Sequence, residues 1–182
     1  MILWILIGLA VVIVVSFIYY YNRFVTLENR IKNSLAQIDV QLKKRADLVP
    51  SLVKVVKGYA KHEKEIFTQI TKARTELVKG KNVAEKVKAG DVLQGFLGKL
   101  FAIAESNPEL KANQNFLHLQ QELSAIEDKV AYARQYYNDG VLFLENASQR
   151  FPGVFFFKIF GRQKKDYLKI PEASRKMPEI DL

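Results

Sequence analysis

The chain has 182 residues, with 28 Lys and Arg against 19 Asp and Glu, a formal net charge of +9 and no cysteine. The length suits one domain. The missing cysteine excludes a disulfide scaffold, a thiolate zinc site, an iron–sulfur cluster and a cysteine nucleophile. Residues 1–22 carry no charged side chain, so every Lys, Arg, Asp and Glu falls in 23–182. The sequence therefore predicts an apolar N-terminal segment (1–22) joined to a basic, water-facing body.

Ile2 to Tyr21 supplies about 20 apolar residues, or roughly 30 Å of helix, which matches the hydrocarbon thickness of a bilayer. Trp4 near one end, and Tyr19, Tyr20 and Tyr21 at the other, read as interfacial aromatics, with Arg23 as the first charge beyond them. A cleaved signal peptide competes with this reading. It would need a basic stretch before the run and a small-residue cleavage site. Here nothing basic precedes the run, which ends in Phe17-Ile18-Tyr19-Tyr20-Tyr21. A retained transmembrane helix is the reading adopted. Arg23, Arg30, Lys32, Lys43, Lys44 and Arg45 all follow the span, so the positive-inside rule places the body in the cytoplasm and the N-terminus outside. The expected localisation is the plasma membrane, single-pass.

The body reads as all-α. From Ile31 to Leu77 apolar residues keep a 4-3 spacing through Leu42, Val49, Leu52 and Ile70, and no period-2 pattern appears. The phase persists across Pro50. One helix is expected over about 23–79, kinked at Pro50 and stopped by Gly80. Residues 80–90 read as a linker in which Asn82 and Glu85 cap one short turn. A second helix is expected over about 91–105, with Leu93, Leu97, Leu100 and Ala104 on one stripe. Ser106-Asn107-Pro108-Glu109 carries a strong helix-start signal for a third helix over 108–150. Its seam runs through Phe116, Leu119, Leu123, Ile126, Val130, Ala133 and Tyr137, and the small Gly140 implies a close neighbour. The whole of 23–150 is expected to form a long antiparallel helical bundle with coiled-coil character. Three helices running up, down and up would leave residue 151 far from its own membrane, and a break at Pro50 or Gly58 would return it.

Residues 151–182 differ in kind. Phe155, Phe156, Phe157 and Phe160 crowd together, Arg162, Lys164 and Lys165 follow, and the last dozen residues read as poorly ordered. So many large apolar groups cannot all face one side of a helix. These four phenylalanines and three cations are the expected contacts to a neighbouring subunit or to lipid. The alternative is a hydrophobic plug folded back on the first and third helices.

The residues also resemble a known family. The matching blocks are Tyr21-Asn22, Asn29-Arg30, Gln37 to Arg45, Asp47-Leu48-Val49-Pro50, Lys57-Gly58-Tyr59-Ala60 and His62-Glu63. Further on come Leu110-Lys111-Ala112-Asn113, Asn115-Phe116, Leu119-Gln120, Glu122-Leu123, Ala131-Tyr132-Ala133-Arg134, Tyr137-Asn138-Asp139, Phe151-Pro152 and Phe160-Gly161. Together they are similar to the LemA family of membrane-anchored bacterial and archaeal proteins. The pattern is departed from at Gly140 and Phe143, and the run Phe155–Phe157 is unusually aromatic. The resemblance implies one N-terminal membrane helix, a cytoplasmic antiparallel helical domain and no enzymatic activity. Through a relative tied to magnetosome membrane organelles, it also points to membrane organisation.

No constellation of residues argues for chemistry. His62 and Glu63 are adjacent and so diverge on a helix, while His118 and Glu122 share a face without a third ligand. No phosphate-binding glycine pattern occurs. No catalytic, metal or cofactor site is therefore expected. Asp39 reaches Lys43 at i+4 as a surface ion pair. Arg45 and Glu63 interrupt the first seam. The drift of a straight helix against a 3.5 repeat puts both at its edge, the reading preferred over a buried pair that fixes register. The positive charge lacks a nucleic-acid stripe and suits anionic lipid instead. The expected partners are membrane lipid, a second copy of the chain and a possible membrane protein, with no nucleic acid. An uninterrupted seam buries poorly in a three-helix monomer, so a lateral neighbour is expected to complete it. The function this favours is a scaffold that self-associates and organises or remodels the membrane. The alternative is a membrane-tethered adaptor for a signalling or proteolytic partner.

Overall fold

The computed structural model describes residues 1–60 and 63–168. His62 and the final residues expected to be poorly ordered lie outside these. The described residues are 86% helical and contain no strand. In chain order the helices are α1 (Ile2–Lys57), α2 (Lys64–Lys79), α3 (Val83–Glu105), α4 (Pro108–Lys111), α5 (Gln114–Gln149) and α6 (Gly153–Ile159).

The apolar segment and the start of the body form one helix. α1 runs through Pro50, which sits on an exposed face, and the Ala46 carbonyl that Pro50 cannot serve accepts from Arg74 Nε of α2 at 2.7 Å. The chain breaks instead after Lys57. The amides of Gly58 and Tyr59 bond back to Val55 and Val56, and α2 starts at Lys64. This corrects the expected single helix to residue 79. Periodicity cannot separate one helix from two that face the same core, because the apolar phase is kept either way. Folding α2 back buries Ile66, Phe67, Ile70, Ala73 and Leu77, a stripe that one extended helix would leave to solvent.

The second helix is longer than expected and starts at Val83. Asn82 Oδ1 accepts from the Glu85 amide at 2.9 Å, and Glu85 Oε2 accepts from the Lys81 amide at 2.9 Å. This reciprocal cap opens all of α3, where a single short turn was expected. Gly90 inside α3 is no weakness, because a Cβ there would lie 2.7 Å from Leu42 Cδ2. The bare backbone admits the α1 side chain. The third expected helix is split in two. Asn107, one residue past Ser106, caps the single turn α4, and Asn113 Oδ1 accepts from the Phe116 amide at 3.1 Å to start α5.

The described residues fall into two compact units. The larger comprises Leu35–Arg134, where α1, α2, α3 and α5 pack as a four-helix bundle. Its core includes Ile38, Leu42, Leu52, Ile70, Leu93, Leu97 and Leu100, each at 0% exposure. Each such leucine contributes about 1.5–3 kcal/mol of burial. The smaller unit joins Met1–Ser34 to Gln135–Leu168. The seam of α5 is covered within its own chain, with Leu123, Ile126 and Val130 at 5%, 7% and 2% exposure. The sequence had suggested that a lateral neighbour completes that seam; the chain already buries it by itself.

Candidate functional site

In the smaller unit α5 runs antiparallel to α1. A Cβ on Gly140 would lie 3.0 Å from Ile31 Cγ1, so the glycine permits the close approach that its smallness implied. Further along, a Cβ on Gly153 would meet the Ala147 carbonyl at 2.2 Å and the Tyr20 ring at 3.0 Å. The chain has thus returned to the end of the apolar segment when α6 begins.

There α6 builds an aromatic cluster with α1. Phe156 stacks on Tyr20 with ring centres 5.1 Å apart, and Phe157 meets Phe24 edge-on at 5.3 Å. Phe160 meets Phe17 at 4.9 Å and Tyr21 at 5.4 Å, both edge-on. Three of the four phenylalanines therefore pack on their own α1. The four were expected to contact a neighbouring subunit or lipid; for these three that is corrected, and they fold back on the first helix as in the plug alternative. Phe17, Tyr20, Tyr21 and Phe24 already form a 3-4 aromatic stripe on α1, and this supplied a surface that the density argument overlooked. Only Phe155 faces outward at 59% exposure, with Phe151 at 80% and Ile159 at 67% beside it.

The segment after α6 is strapped along the same unit. Arg162 pairs with Glu28 and lies over the Tyr21 ring at 5.6 Å, so this cation is engaged within the chain. Asn138 Nδ2 donates to the Leu168 carbonyl at 3.1 Å and its Oδ1 accepts from the Leu168 amide at 2.9 Å. Tyr137 Oη donates to the Asp166 carbonyl at 2.8 Å. Burial, then the nearby Asp166 charge, pushes the Tyr137 pKa up. Tyr167 donates to Glu145 at 2.9 Å, and that bond raises its own pKa. Lys164 and Lys165 remain exposed. Neither Glu28 nor Asn138 is legible as a partner in the sequence, since their mates lie more than a hundred and about thirty residues away respectively.

Trp4, Tyr19 and Tyr21 are exposed at 76%, 54% and 46%, and Tyr20 is half-buried under α6. Arg23 donates to Tyr19 Oη at 3.0 Å. It borders a cleft of about 460 Å³ together with Asn22, Thr26, Arg30 and Phe143. The apolar part of α1 is long enough to cross a membrane, and apart from its end under α6 it is not covered by the other described residues.

The larger unit holds the main buried charge. Arg45 is 1% exposed, donates to the Gly90 carbonyl at 3.3 Å and pairs with Glu127 of α5. Arg134 pairs with Asp91 nearby. Burial lowers the Arg45 pKa, and the Glu127 charge opposes that shift. The edge reading of Arg45 is therefore overturned: it sits in the seam and is paid for by a carboxylate, while Glu63 is exposed. The Asp39–Lys43 pair is also corrected. Asp39 accepts from Lys86 of α3 at 2.6 Å, and Lys43 lies 3.9 Å from Asp47. Among the described residues no group of three His, Cys, Asp or Glu could hold a metal. His118 and Glu122 stand 3.9 Å apart, at 70% and 44% exposure.

An uncovered apolar helix running into a helical body defines the class, a membrane-associated all-helical protein. The chain belongs to the LemA family, whose model matches residues 34–182. It is similar to Magnetosome protein MamQ 1 and MamQ 2 of Paramagnetospirillum magneticum, each 25% identical over 87% of this chain and 68% of the relative. It is also similar to Magnetosome protein MamQ of Magnetospirillum gryphiswaldense, at 24% identity over 86% of this chain and 67% of that protein.

Proposed function

We propose that this chain is a non-enzymatic scaffold, anchored by residues 2–21 in the plasma membrane with its body in the cytoplasm, that self-associates and organises or remodels that membrane. The observation that carries the reading is the uncovered aromatic face at the anchored end of α5. Tyr136 and Phe143 are seven residues apart and so share one stripe of the helix. They are 69% and 51% exposed. The occupant proposed for this face is a second copy of the chain. Burying each ring contributes about 1.5–3 kcal/mol, and tethering both copies to one membrane raises their effective concentration without new contacts. The likeness to magnetosome proteins supports a task at a membrane, and the absence of charges within the span argues against a transport pathway lined by this helix alone.

The test is the size distribution of the detergent-purified full chain. Discrete assemblies that revert to monomer in a Tyr136→Ser, Phe143→Ser variant support the scaffold. A monomer at all concentrations overturns it and favours the adaptor that docks a different membrane-bound partner.

A further inference from the structure

We propose that α6 is an interfacial helix that lies in the headgroup–acyl boundary and inserts Phe151, Phe155 and Ile159 into the leaflet facing the body of the protein. The proposal rests on the reading of α1 as a membrane anchor and adds a lipid-contacting element to it.

The position of α6 follows from what it touches. Its inner face packs on Phe17 and Tyr20, which belong to the charge-free stretch that would cross the bilayer. Phe17 lies about 6 Å along the helix axis before Tyr21. A segment seated on Phe17, Tyr20, Tyr21 and Phe24 therefore straddles the level of the tyrosines, between the outer acyl chain and the headgroups. The two ends of α6 meet α1 around one level: Gly153 comes up to Tyr20, and Phe160, just past the helix, sits among Phe17, Tyr21 and Phe24. α6 consequently crosses α1 instead of running along it, and a helix that crosses a spanning helix lies along the membrane plane.

Its composition fits that setting. Phe155 and Ile159 are one turn apart on the face opposite the aromatic cluster, and Phe151 stacks edge-on against Phe155 at 5.9 Å. All three are more than half exposed. In water this would be an unpartnered apolar patch. At the boundary it is solvated by acyl chains, as the apolar face of an interfacial helix is, to a depth of about 5–10 Å. Lys158 flanks the patch, and Lys164 and Lys165 follow it. All three are exposed, and all are long enough to reach headgroup phosphates. A second copy is the less suitable occupant, because the patch sits beside the charge-free stretch of α1, where a docked protein would have to compete with acyl chains.

The chain contains one tryptophan, Trp4, which makes the test direct. The full chain is reconstituted in vesicles of phosphatidylcholine and phosphatidylglycerol with bromines at defined acyl positions. Four single-tryptophan proteins are compared: the natural chain, and Phe155→Trp, Ile159→Trp and the reference Val92→Trp, each in a Trp4→Phe background. The expected result is blue-shifted emission at both α6 positions, strongest quenching by bromines near the glycerol end, and several-fold protection from aqueous iodide relative to Val92→Trp in the same background. Iodide quenching equal to that of Val92→Trp overturns the proposal. So does protection from iodide without quenching by brominated lipid, which would mean that protein covers the patch. If Trp4 itself escapes lipid quenching, the anchor reading fails. If Trp4 is quenched and both α6 positions are not, only the present proposal fails.

Discussion

Arg45 and Tyr137 place ionisable groups where the core would otherwise be apolar, and each makes a measurable prediction. Arg45 is enclosed, while the Glu127 side chain keeps 41% exposure. Removing the carboxylate leaves a buried charge without its partner, a change that costs about 3–5 kcal/mol in a fully buried pair. The half-exposed Glu127 admits water to the site, so Glu127→Leu should destabilise by less than that range. The double variant Arg45→Met, Glu127→Leu should recover part of the loss. A denaturant series on the four proteins checks this, and a double variant less stable than either single would contradict it. Tyr137 acts through pH. Its pKa is raised in the fold by burial and by Asp166. Its neutral form is therefore favoured natively, and that stability is complete below the unfolded pKa near about 10 and declines as pH rises through the higher folded value. Tyr137→Phe should reduce the alkaline slope, leaving the share of Tyr167, whose pKa is also raised. Equal slopes in the two proteins between neutral pH and pH 11 would show that another group carries it.

At the scale of elements, the structure turns on where helices stop. α3 opens at a reciprocal cap between Asn82 and Glu85. Asn82→Ala leaves the amide without its acceptor and should cost about 0.5–2 kcal/mol, while Asn82→Ser should restore most of it. Thermal melts of both variants decide the point. An Asn82→Ala melt indistinguishable from the parent would mean that the start of α3 is held by packing alone. The hairpin of α2 and α3 depends on the same boundary, because a helix that begins at Val83 brings Lys86 to Asp39 and Gly90 to Leu42 of α1. The break after Lys57 has the same importance. It converts one apolar stripe into two that face each other.

For the whole molecule, the proposed orientation makes a prediction that needs no purified protein. A cytoplasm-dependent reporter fused after Leu182 should be active, and a periplasm-dependent one should be silent, because Arg23, Arg30 and Lys32 resist translocation. Charge reversal of these three to Glu should weaken that bias. A silent cytoplasmic fusion with an active periplasmic one would reject the orientation while leaving the helical body intact.

Composition and periodicity alone determined that the chain is all-helical, that its first segment can span a bilayer, and that Leu123, Ile126 and Val130 form a core stripe. These properties are local: a charge-free run and a 3-4 repeat are written in consecutive residues. Gly140 belongs with them, since its missing side chain announced the contact with Ile31. The tertiary structure decided the rest. It turned α1 back at Gly58 when Pro50 was the more conspicuous breaker, buried Arg45 against Glu127, moved Asp39 from Lys43 to Lys86, and laid Phe156, Phe157 and Phe160 on α1. Each of these joins residues far apart in the chain. The energy of such a contact belongs to the pair and to the water it excludes, and neither partner's local sequence carries it.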